Sequence, residues 1–118
     1  MDLPPIDHAP AAEIRVIDGD TIRIREEIIR LMNIDAPELT GGCAASRRLA
    51  SLAAERLQEL VVAAGPGNVE IHRAARADRY GRTLAQVRGP RGDFAVALAS
   101  EELAVPWSGR RHDWCRVG

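Results

Sequence analysis

The hydrophobic period of the sequence changes near residue 44, and this change most constrains the fold. Over residues 13–25 apolar and polar residues alternate, which is the period of a half-buried β-strand. Over residues 44–64 Leu, Ala and Val recur instead at the three- and four-residue spacing of an α-helix. Gly65-Pro66 ends that pattern, as expected after a helix. The chain therefore combines strands with one long helix.

The same patterns predict five strands and a second, shorter helix. The alternation breaks at Gly19, which predicts two strands joined by a turn, and Glu26-Glu27 predicts the next turn. We predict the later strands over residues 28–34, 69–74 and 83–88. Asp93 is a candidate N-cap for a second helix over residues 94–103.

The order of these elements predicts the fold class. Three strands, a helix, two strands and a helix form an α+β, mainly β arrangement, the layout of a five-stranded OB-fold barrel with a capping helix between strands three and four. A generic α+β sandwich is the alternative. We expect residues 1–11 to be a flexible, Pro-rich N-terminal segment, residues 12–107 to form the domain, and residues 108–118 to be a C-terminal tail.

Composition limits the kinds of partner that the protein can have. The 118 residues suit one domain, and a hydrophobic fraction of 46% is that of a soluble globular protein. A net charge of -1 argues against a broad basic surface, so any nucleic acid should bind locally, at a pocket. All 16 basic residues are Arg, which stays charged and binds phosphate with two parallel donors. No apolar run approaches a membrane span, and we expect a monomer without membrane contact.

Three aspartates follow the first and third predicted strands. Asp18 and Asp20 are two residues apart and point the same way on extended chain, so both can face one cation. Asp35 follows the third strand. Carboxylates without His or Cys favour a hard ion such as Ca²⁺ or Mg²⁺. The alternative is an acidic turn whose aspartates cap backbone amides.

Arg30 lies inside an otherwise apolar run, and a charge placed there must be paired. It is either a structural partner of the aspartates or a phosphate clamp beside a metal. After Asp35, Pro37 favours an extended Ala36, which can leave the Ala36 carbonyl free as a metal ligand and direct Glu38 towards the site. A carboxylate in that position can activate water as a general base, or it can be a solvated loop acid.

Four motifs in this order resemble the staphylococcal nuclease (thermonuclease) family. They are Ile17-Asp18-Gly19-Asp20-Thr21, Arg30-Leu31, Ile34-Asp35-Ala36-Pro37-Glu38 and Asp78-Arg79-Tyr80-Gly81-Arg82. Each motif alone is weak, whereas the four together at these spacings are specific. The resemblance covers most of the chain, from about residue 14 to 107. It implies an OB-fold nuclease that cleaves DNA and RNA with Ca²⁺ and leaves 3′-phosphate ends.

The resemblance also implies roles for individual residues. Asp20 and Asp35 would be calcium carboxylates, with the Ala36 carbonyl as a further ligand and Asp18 just outside, through water. Glu38 would match the general base. Arg30 and Arg82 would match the two arginines that hold the phosphate and stabilise its transition state, and Arg79 and Tyr80 would contact the phosphate of the nucleotide. The aromatic residues expected to stack a base near the C-terminus are not obvious: Trp107 is the nearest candidate, and it could equally be a core or tail anchor.

The two cysteines allow two interpretations. Cys43 and Cys115 lie in no zinc-binding pattern, and they form either a disulfide or two free thiols. The ending over residues 107–115 also resembles that of some bacterial family members, and Cys43 is then the hypothetical disulfide partner. A secreted or periplasmic location is favoured if the cysteines pair and a signal peptide was removed; otherwise the cytoplasm is expected.

The sequence departs from the family pattern in several places. Ala36 replaces Thr, which a backbone ligand tolerates. The segment after Glu38 is short, the Lys-rich surface is absent, and Glu102 stands where relatives usually have Gly at the end of the second helix. The absence of Lys predicts weaker and more salt-sensitive binding of nucleic acid.

These observations favour a calcium-dependent nuclease acting on single-stranded or loosened DNA and RNA. A non-catalytic OB module that binds nucleic acid or protein is the alternative, although relatives that lost catalysis usually lack some of these groups. A structural calcium-binding domain would account for the aspartates but not for Arg30 and Arg82.

Overall fold

In the computed structural model, which describes residues 3–116, the described chain forms nine strands and two α-helices. The strands are β1 (Asp7–Ala9), β2 (Ile14–Asp18), β3 (Thr21–Ile24), β4 (Glu27–Leu31), β5 (Ile34–Asp35), β6 (Val69–Arg73), β7 (Thr83–Gly89), β8 (Gly92–Asp93) and β9 (Val105–Pro106). The helices are α1 (Ala44–Ala64) and α2 (Phe94–Ser100), and a 3₁₀ turn spans Ala11–Glu13. Neither helix is both long and apolar enough to cross a membrane.

One curled sheet contains most of the strands. Its strand order is β1-β6-β7-β4-β3-β2, and β8 pairs with the C-terminal end of β7. Strands β2, β3 and β4 form an antiparallel meander, and β4 then pairs with β7 in parallel. A separate antiparallel pair joins β5 to β9. This half-barrel with two helices confirms the predicted α+β, OB-type class, and α1 lies between the meander and the later strands as expected.

The core lies between the concave face of the sheet and the helices. It consists of aliphatic side chains from both, as the scarcity of aromatic residues requires; fully buried members include Ile22, Ile29, Leu57, Ile71, Val87 and Leu98. Buried residues recur every three or four positions along α1, at Ala50, Ala53, Leu57 and Val61. Leu52, part of the predicted apolar pattern, is instead 55% exposed. Small alanines at the contact let α1 approach the sheet closely.

The predicted third strand, residues 28–34, is interrupted in the structure. Asn33 adopts a left-handed backbone with φ 75°, and residues 32–33 form a turn between β4 and β5. Asn tolerates this conformation better than most residues do. The turn redirects β5 away from the meander and towards β9, so the interruption places Asp35 beside the C-terminal part of the chain.

The N-terminal segment also differs from the prediction. Residues 1–11 were expected to be flexible, but β1 pairs with β6 and Ala9 is completely buried. Asp7 accepts a hydrogen bond from Arg73 at 3.1 Å, which joins this short edge strand to the sheet. Local Pro-rich composition did not reveal these long-range contacts. Residues 1 and 2 lie outside the described residues.

The second helix ends earlier than predicted. Its N-cap is as expected, because the Asp93 carboxylate accepts a hydrogen bond from the Ala95 N–H at 2.8 Å. The helix stops at Ser100, however, and Glu102 takes a left-handed conformation with φ 62°. The Leu103 N–H then donates to the Leu98 carbonyl at 2.9 Å, which is the bond of a Schellman cap.

Candidate active site

A cleft of about 770 Å³ gathers most of the predicted site residues. Its walls come from the loop between β2 and β3, from β4, from the loop before β7 and from the segment after β9. The predicted residues that line it are Asp18, Asp20, Arg30, Glu38, Arg79, Tyr80, Arg82 and Trp107. Asp35 and Ala36 do not line the cleft; both are buried.

Asp20 and Arg30 form a buried ion pair at the base of the cleft. The Arg30 Nη1 group donates to Asp20 Oδ2 at 2.9 Å, and the two side chains are only 12% and 6% exposed. Cross-strand pairing explains this contact, because Thr21, next to Asp20, lies opposite Arg30 in the β3–β4 ladder. The Thr21 hydroxyl donates to the other Asp20 oxygen at 2.9 Å. The Arg30 charge, which lies inside an apolar run of the sequence, is therefore paired with Asp20, as its position required.

Asp35 and Ala36 lie next to that pair. The second nitrogen of the Arg30 guanidinium, Nη2, lies 3.7 Å from Asp35 Oδ1, and the Ala36 N–H donates to Asp20 Oδ2 at 2.9 Å. The other Asp35 oxygen accepts a hydrogen bond from the His112 N–H at 2.7 Å. Asp20 and Asp35 thus flank the same guanidinium, which brings the two proposed calcium carboxylates together.

Asp18 lies at the edge of the same acidic group. Its Oδ1 atom accepts a hydrogen bond from the Leu39 N–H at 2.8 Å. Burial raises the pKa of the Asp18 carboxyl above its ordinary value, and the neighbouring charges of Asp20 and Glu38 add to this effect. The raised pKa therefore has burial as its main cause, and the two nearby carboxylates are a smaller one.

Glu38 contacts an arginine that the sequence did not single out. The Arg111 Nη1 group donates to Glu38 Oε1 at 2.5 Å, and both side chains remain about half exposed. This hydrogen bond is the main reason that the pKa of Arg111 is raised. Glu38, the proposed general base, therefore lies at the surface of the cleft and is paired with the Arg111 guanidinium in this structure.

Arg82 is held at the cleft by Asp78. Arg82 Nε donates to Asp78 Oδ2 at 2.7 Å, while the main-chain N–H groups of Arg82 and Tyr80 donate to Asp78 Oδ1. Burial raises the pKa of Asp78, but these three donors outweigh it and lower the pKa below its ordinary value. Because Nε contacts Asp78, the outer guanidinium nitrogens can face the cleft.

Two aromatic rings accompany the arginines. Arg79 and Arg82 both lie over the Tyr80 ring, with their guanidinium carbons 5.4 and 5.6 Å from its centroid, and Tyr80 is 72% exposed. Arg30 lies 5.4 Å from the centroid of the Trp107 ring. Exposed rings beside guanidiniums offer stacking surfaces for bases next to donors for phosphate.

Asp20 at the base of the cleft and the buried Asp35 and Ala36 beside it carry oxygen donors, the type that a hard cation prefers. Within residues 3–116 no group of three or more His, Cys, Asp or Glu side chains is arranged to hold a metal ion. The ligand set implied by the family resemblance has only two carboxylate side chains, together with one main-chain carbonyl and water. Such a set is compatible with the loose coordination of Ca²⁺. Asp20 and Asp35 supply two negative charges against the one positive charge of Arg30, so the group keeps a net negative charge that attracts a cation.

The C-terminal residues fold back over this site. A disulfide joins Cys43, the N-cap of α1, to Cys115, and their Cα atoms are 5.9 Å apart. At the other end of the segment, the Trp107 N–H donates to the Asn33 carbonyl at 2.8 Å. Between these two points, Arg110 and Arg111 line the cleft. The predicted tail is thus part of the site wall.

Comparison with family models identifies the relationship. The model described as staphylococcal nuclease homologue matches residues 28–113. The chain belongs to the staphylococcal nuclease homologue family. Among curated proteins, no significant match to this chain was found. Membership of the staphylococcal nuclease homologue family suggests a nuclease-like function.

The family match covers only part of the candidate site. It includes Arg30, Asp35, Glu38 and Arg82 but begins after the loop that carries Asp18 and Asp20. At its other end it extends to residue 113, past the predicted domain end at residue 107. The matched region of this staphylococcal nuclease homologue thus contains Arg111, whose side chain lines the cleft.

Sequence reasoning missed two side chains that shape the cleft. Asp78 begins the fourth motif but received no role, although Asp commonly accepts hydrogen bonds from main-chain amides in turns. Arg111 gave no such signal, because the C-terminal residues have no periodicity. Its position follows from the disulfide and from the β5–β9 pair, which are contacts distant in sequence.

Proposed function

We propose that the protein is a Ca²⁺-dependent nuclease that hydrolyses DNA and RNA, prefers single-stranded or loosened strands, and leaves 3′-phosphate ends. The observation that carries this proposal is the cleft itself. One concave surface holds the carboxylates of Asp20 and Glu38 together with the guanidiniums of Arg30 and Arg82. Carboxylates that can hold a cation, together with arginines that can hold a phosphate, are one combination that stabilises the charge developing in phosphodiester hydrolysis.

The proposed binding roles follow the arrangement of charges. Asp20, Asp35 and the Ala36 carbonyl would hold Ca²⁺, with Asp18 acting through water. Bound there, the ion would supply positive charge next to the scissile phosphate. Arg30 and Arg82 would bind the phosphate oxygens from the protein side.

The proposed chemistry is attack of water on phosphorus. Glu38 would accept a proton from that water as the bond from phosphorus to the 5′ oxygen breaks. The 5′ oxygen would take a proton from solvent and leave as a hydroxyl, and the phosphate would stay on the 3′ oxygen. Negative charge grows on the equatorial oxygens as water attacks, and fixed guanidiniums stabilise that charge more than the ground state. Glu38 Oε1 accepts a hydrogen bond from Arg111 in the structure, so this contact would have to loosen for that oxygen to take the proton.

The preference for unpaired strands rests on the aromatic rings at the cleft. Tyr80 and Trp107 are 72% and 44% exposed, and such rings can stack bases only when the bases are accessible. Arg79 would contact a phosphate of the same strand. A paired duplex would not present its base faces to these rings, so loosened regions should be cleaved first.

A cleavage assay tests the proposed function. Purified protein is incubated with single-stranded DNA in Ca²⁺ or in chelator, and Glu38→Gln is compared with Glu55→Gln. Glu55 lies exposed on α1 outside the cleft and is a matched control. We expect Ca²⁺-dependent cleavage, a loss of about 10²–10⁴-fold in Glu38→Gln, and no change in Glu55→Gln. Intact DNA in every Ca²⁺ reaction, with retarded migration of the DNA in a gel, would indicate a binding module instead.

A further inference from the structure

The segment from residue 109 to 115, here called the strap, is anchored at both ends. Upstream, β9 pairs with β5 and the Trp107 N–H donates to the Asn33 carbonyl. Downstream, Cys115 is bonded to Cys43 at the start of α1. These anchors hold the strap against the cleft, although it contains no helix or strand of its own.

Between the anchors the strap makes two contacts with the candidate catalytic groups. The His112 N–H donates to the buried Asp35 carboxylate at 2.7 Å. The Arg111 side chain pairs with Glu38 and is still 57% exposed, so a ligand in the cleft can reach its guanidinium. Gly109 and Arg110 line the cleft beside it.

Arg111 differs from the other cleft arginines in how firmly it is held. Arg30 is 12% exposed and contacts two buried carboxylates, and Arg82 is held by the mostly buried Asp78. Arg111 instead pairs with a glutamate that is 47% exposed. Exposed ion pairs typically contribute little to stability, so an incoming phosphate can replace Glu38 at small cost.

We propose that Arg111 exchanges Glu38 for a phosphate of the bound strand, next to the scissile one, and that the Cys43–Cys115 disulfide positions it for this exchange. The inference rests on the proposed nuclease function and assigns the strap to substrate binding. The exchange also releases the Glu38 carboxylate, so the proposed base becomes available when a strand occupies the cleft. A chain with a net charge of -1 depends on such local arginines to hold a polyanion.

The test measures binding rather than cleavage. A fluorescein-labelled oligothymidylate is titrated with protein in chelator, from about 20 to 150 mM salt, and anisotropy gives the affinity. We expect Arg111→Ala to bind several-fold more weakly and to reduce the salt slope by about 0.7, the value for one lost phosphate contact on a single strand. Arg111→Lys should keep most of the slope. Arg91→Ala, on the turn between β7 and β8 and outside the cleft, is the charge-matched control and should bind like wild type.

A second pair of variants separates direct contact from simple charge neutralisation. If Arg111 binds phosphate, Glu38→Gln should tighten binding by freeing the guanidinium, and Arg111→Ala should still weaken binding in that background. If Arg111 only screens Glu38, Arg111→Ala should have no effect once Glu38 is Gln. That result, or an unchanged salt slope in Arg111→Ala, would overturn the proposed phosphate contact.

The role of the disulfide is tested with Cys43→Ser/Cys115→Ser, which leaves no thiol and keeps an N-capping residue at position 43. Circular dichroism is used to check that the variant is folded at the assay temperature. We expect its affinity to match that of Arg111→Ala, and adding Arg111→Ala should then change little. Wild-type affinity without the disulfide would refute the positioning role. An unfolded variant is replaced by Cys115→Ala alone, judged by the same criterion.

The binding assay and the cleavage assay can fail independently. If Arg111-dependent binding occurs but Ca²⁺ never produces cleavage, the nuclease proposal is wrong while Arg111 still contacts phosphate. If Ca²⁺-dependent cleavage occurs and Arg111→Ala binds normally, only the role of the strap is wrong.

Discussion

At the scale of single residues, Arg30 connects three groups at the base of the cleft. It pairs with Asp20, lies near Asp35 and donates to the Ile34 carbonyl at 3.1 Å. The sequence left open whether this buried arginine is a structural partner or a phosphate clamp. The geometry is compatible with both, because the side chain pairs with the aspartates and also lines the cleft.

Replacing Arg30 with Ala should reduce both stability and cleavage. The change leaves the buried Asp20 carboxylate without its cation, and breaking a buried pair in this way typically costs about 3 kcal/mol. Cleavage should fall by about 10²–10³-fold, since a donor to the phosphate is lost. Urea unfolding and rate measurements in Ca²⁺ check both effects. Arg23→Ala removes an exposed arginine paired with Glu26 and should cost less than about 1 kcal/mol; an equal loss there would contradict the argument.

Gly19 is required because the chain at this position lies close to helix α1, and not because its backbone adopts an unusual angle. A Cβ atom at this position would lie 2.6 Å from the Ala53 Cβ on α1 and 3.1 Å from the Ala36 Cβ. Gly19→Ala should therefore destabilise the protein by about 1–3 kcal/mol, as overpacking does, and weaken cleavage by displacing Asp20. Thermal unfolding measures the loss.

The matched test of this contact is the double variant Gly19→Ala/Ala53→Gly. Ala53→Gly alone should cost about 1 kcal/mol, as Gly does in a helix interior. The double variant should be more stable than the sum of the two single changes predicts, because the clash is removed. If the losses of stability in the two single variants simply add in the double variant, the contact with α1 does not limit the size of the side chain at position 19.

At the scale of elements, the two helices differ in how their C-terminal ends are formed. Helix α1 is followed by Gly65 with φ 87°, where a left-handed residue carries no Cβ penalty. After helix α2 the residue with positive φ is instead Glu102, at 62°, one position beyond the C-cap Glu101. The cap hydrogen bond from Leu103 to Leu98 is nevertheless present, and Leu103 packs against the core, so the cap forms although its left-handed residue is not glycine.

Glu102→Gly should stabilise the protein by up to about 1 kcal/mol. A non-glycine residue in the left-handed region costs roughly 1–2 kcal/mol, and part of this gain is lost because Gly is more flexible in the unfolded chain. Chemical denaturation measures the difference. Glu102→Ala is the control: it removes the carboxylate but keeps the strained backbone, so it should not stabilise. Equal stabilisation by Ala would attribute the effect to charge.

At the scale of the whole molecule, an ion-pair network joins β1, β4 and β6. Arg73 donates to both carboxylate oxygens of Glu27, at 3.0 and 2.7 Å, and to Asp7 at 3.1 Å. The hydrogen bond from Arg73 lowers the pKa of Glu27. Burial raises the pKa of Asp7, but hydrogen bonds from Arg73 and Arg25 outweigh it, so that pKa is also lowered. The network attaches the N-terminal strand to the sheet.

These lowered pKa values predict the acid sensitivity of the fold. The two carboxylates stabilise the folded state fully above their ordinary pKa values of 3.8 and 4.5, and the contribution is lost as the pH falls through the lower folded-state values. Arg73→Met should reduce stability at neutral pH and make its dependence on pH shallower below about 4.5. Urea unfolding between pH 2 and 7 measures this. Arg15→Met, at an exposed position on β2, should leave the slope unchanged; an equal flattening there would exclude a specific role for Arg73.

Much of the architecture was predictable because it depends on local pattern. The periodicity of two placed β2 and β3, and the helical period together with Gly65 gave the bounds of α1. Family membership, predicted from four motifs, is confirmed by the family match. The roles of Asp20, Asp35, Glu38 and the arginines stay predictions that the proposed assays address.

The sequence by itself determined the mixed class, the order of the main elements and the need for a partner to the buried Arg30. Tertiary structure alone decided which carboxylates Arg30 contacts, that β1 joins the sheet, and that the strap brings Arg111 to Glu38. The physical reason is the range of the interactions. Hydrophobic period and helix stops act over a few residues, whereas the disulfide joins residues 72 positions apart and Arg111 meets Glu38 across 73. Contacts at such separations depend on the folded chain as a whole.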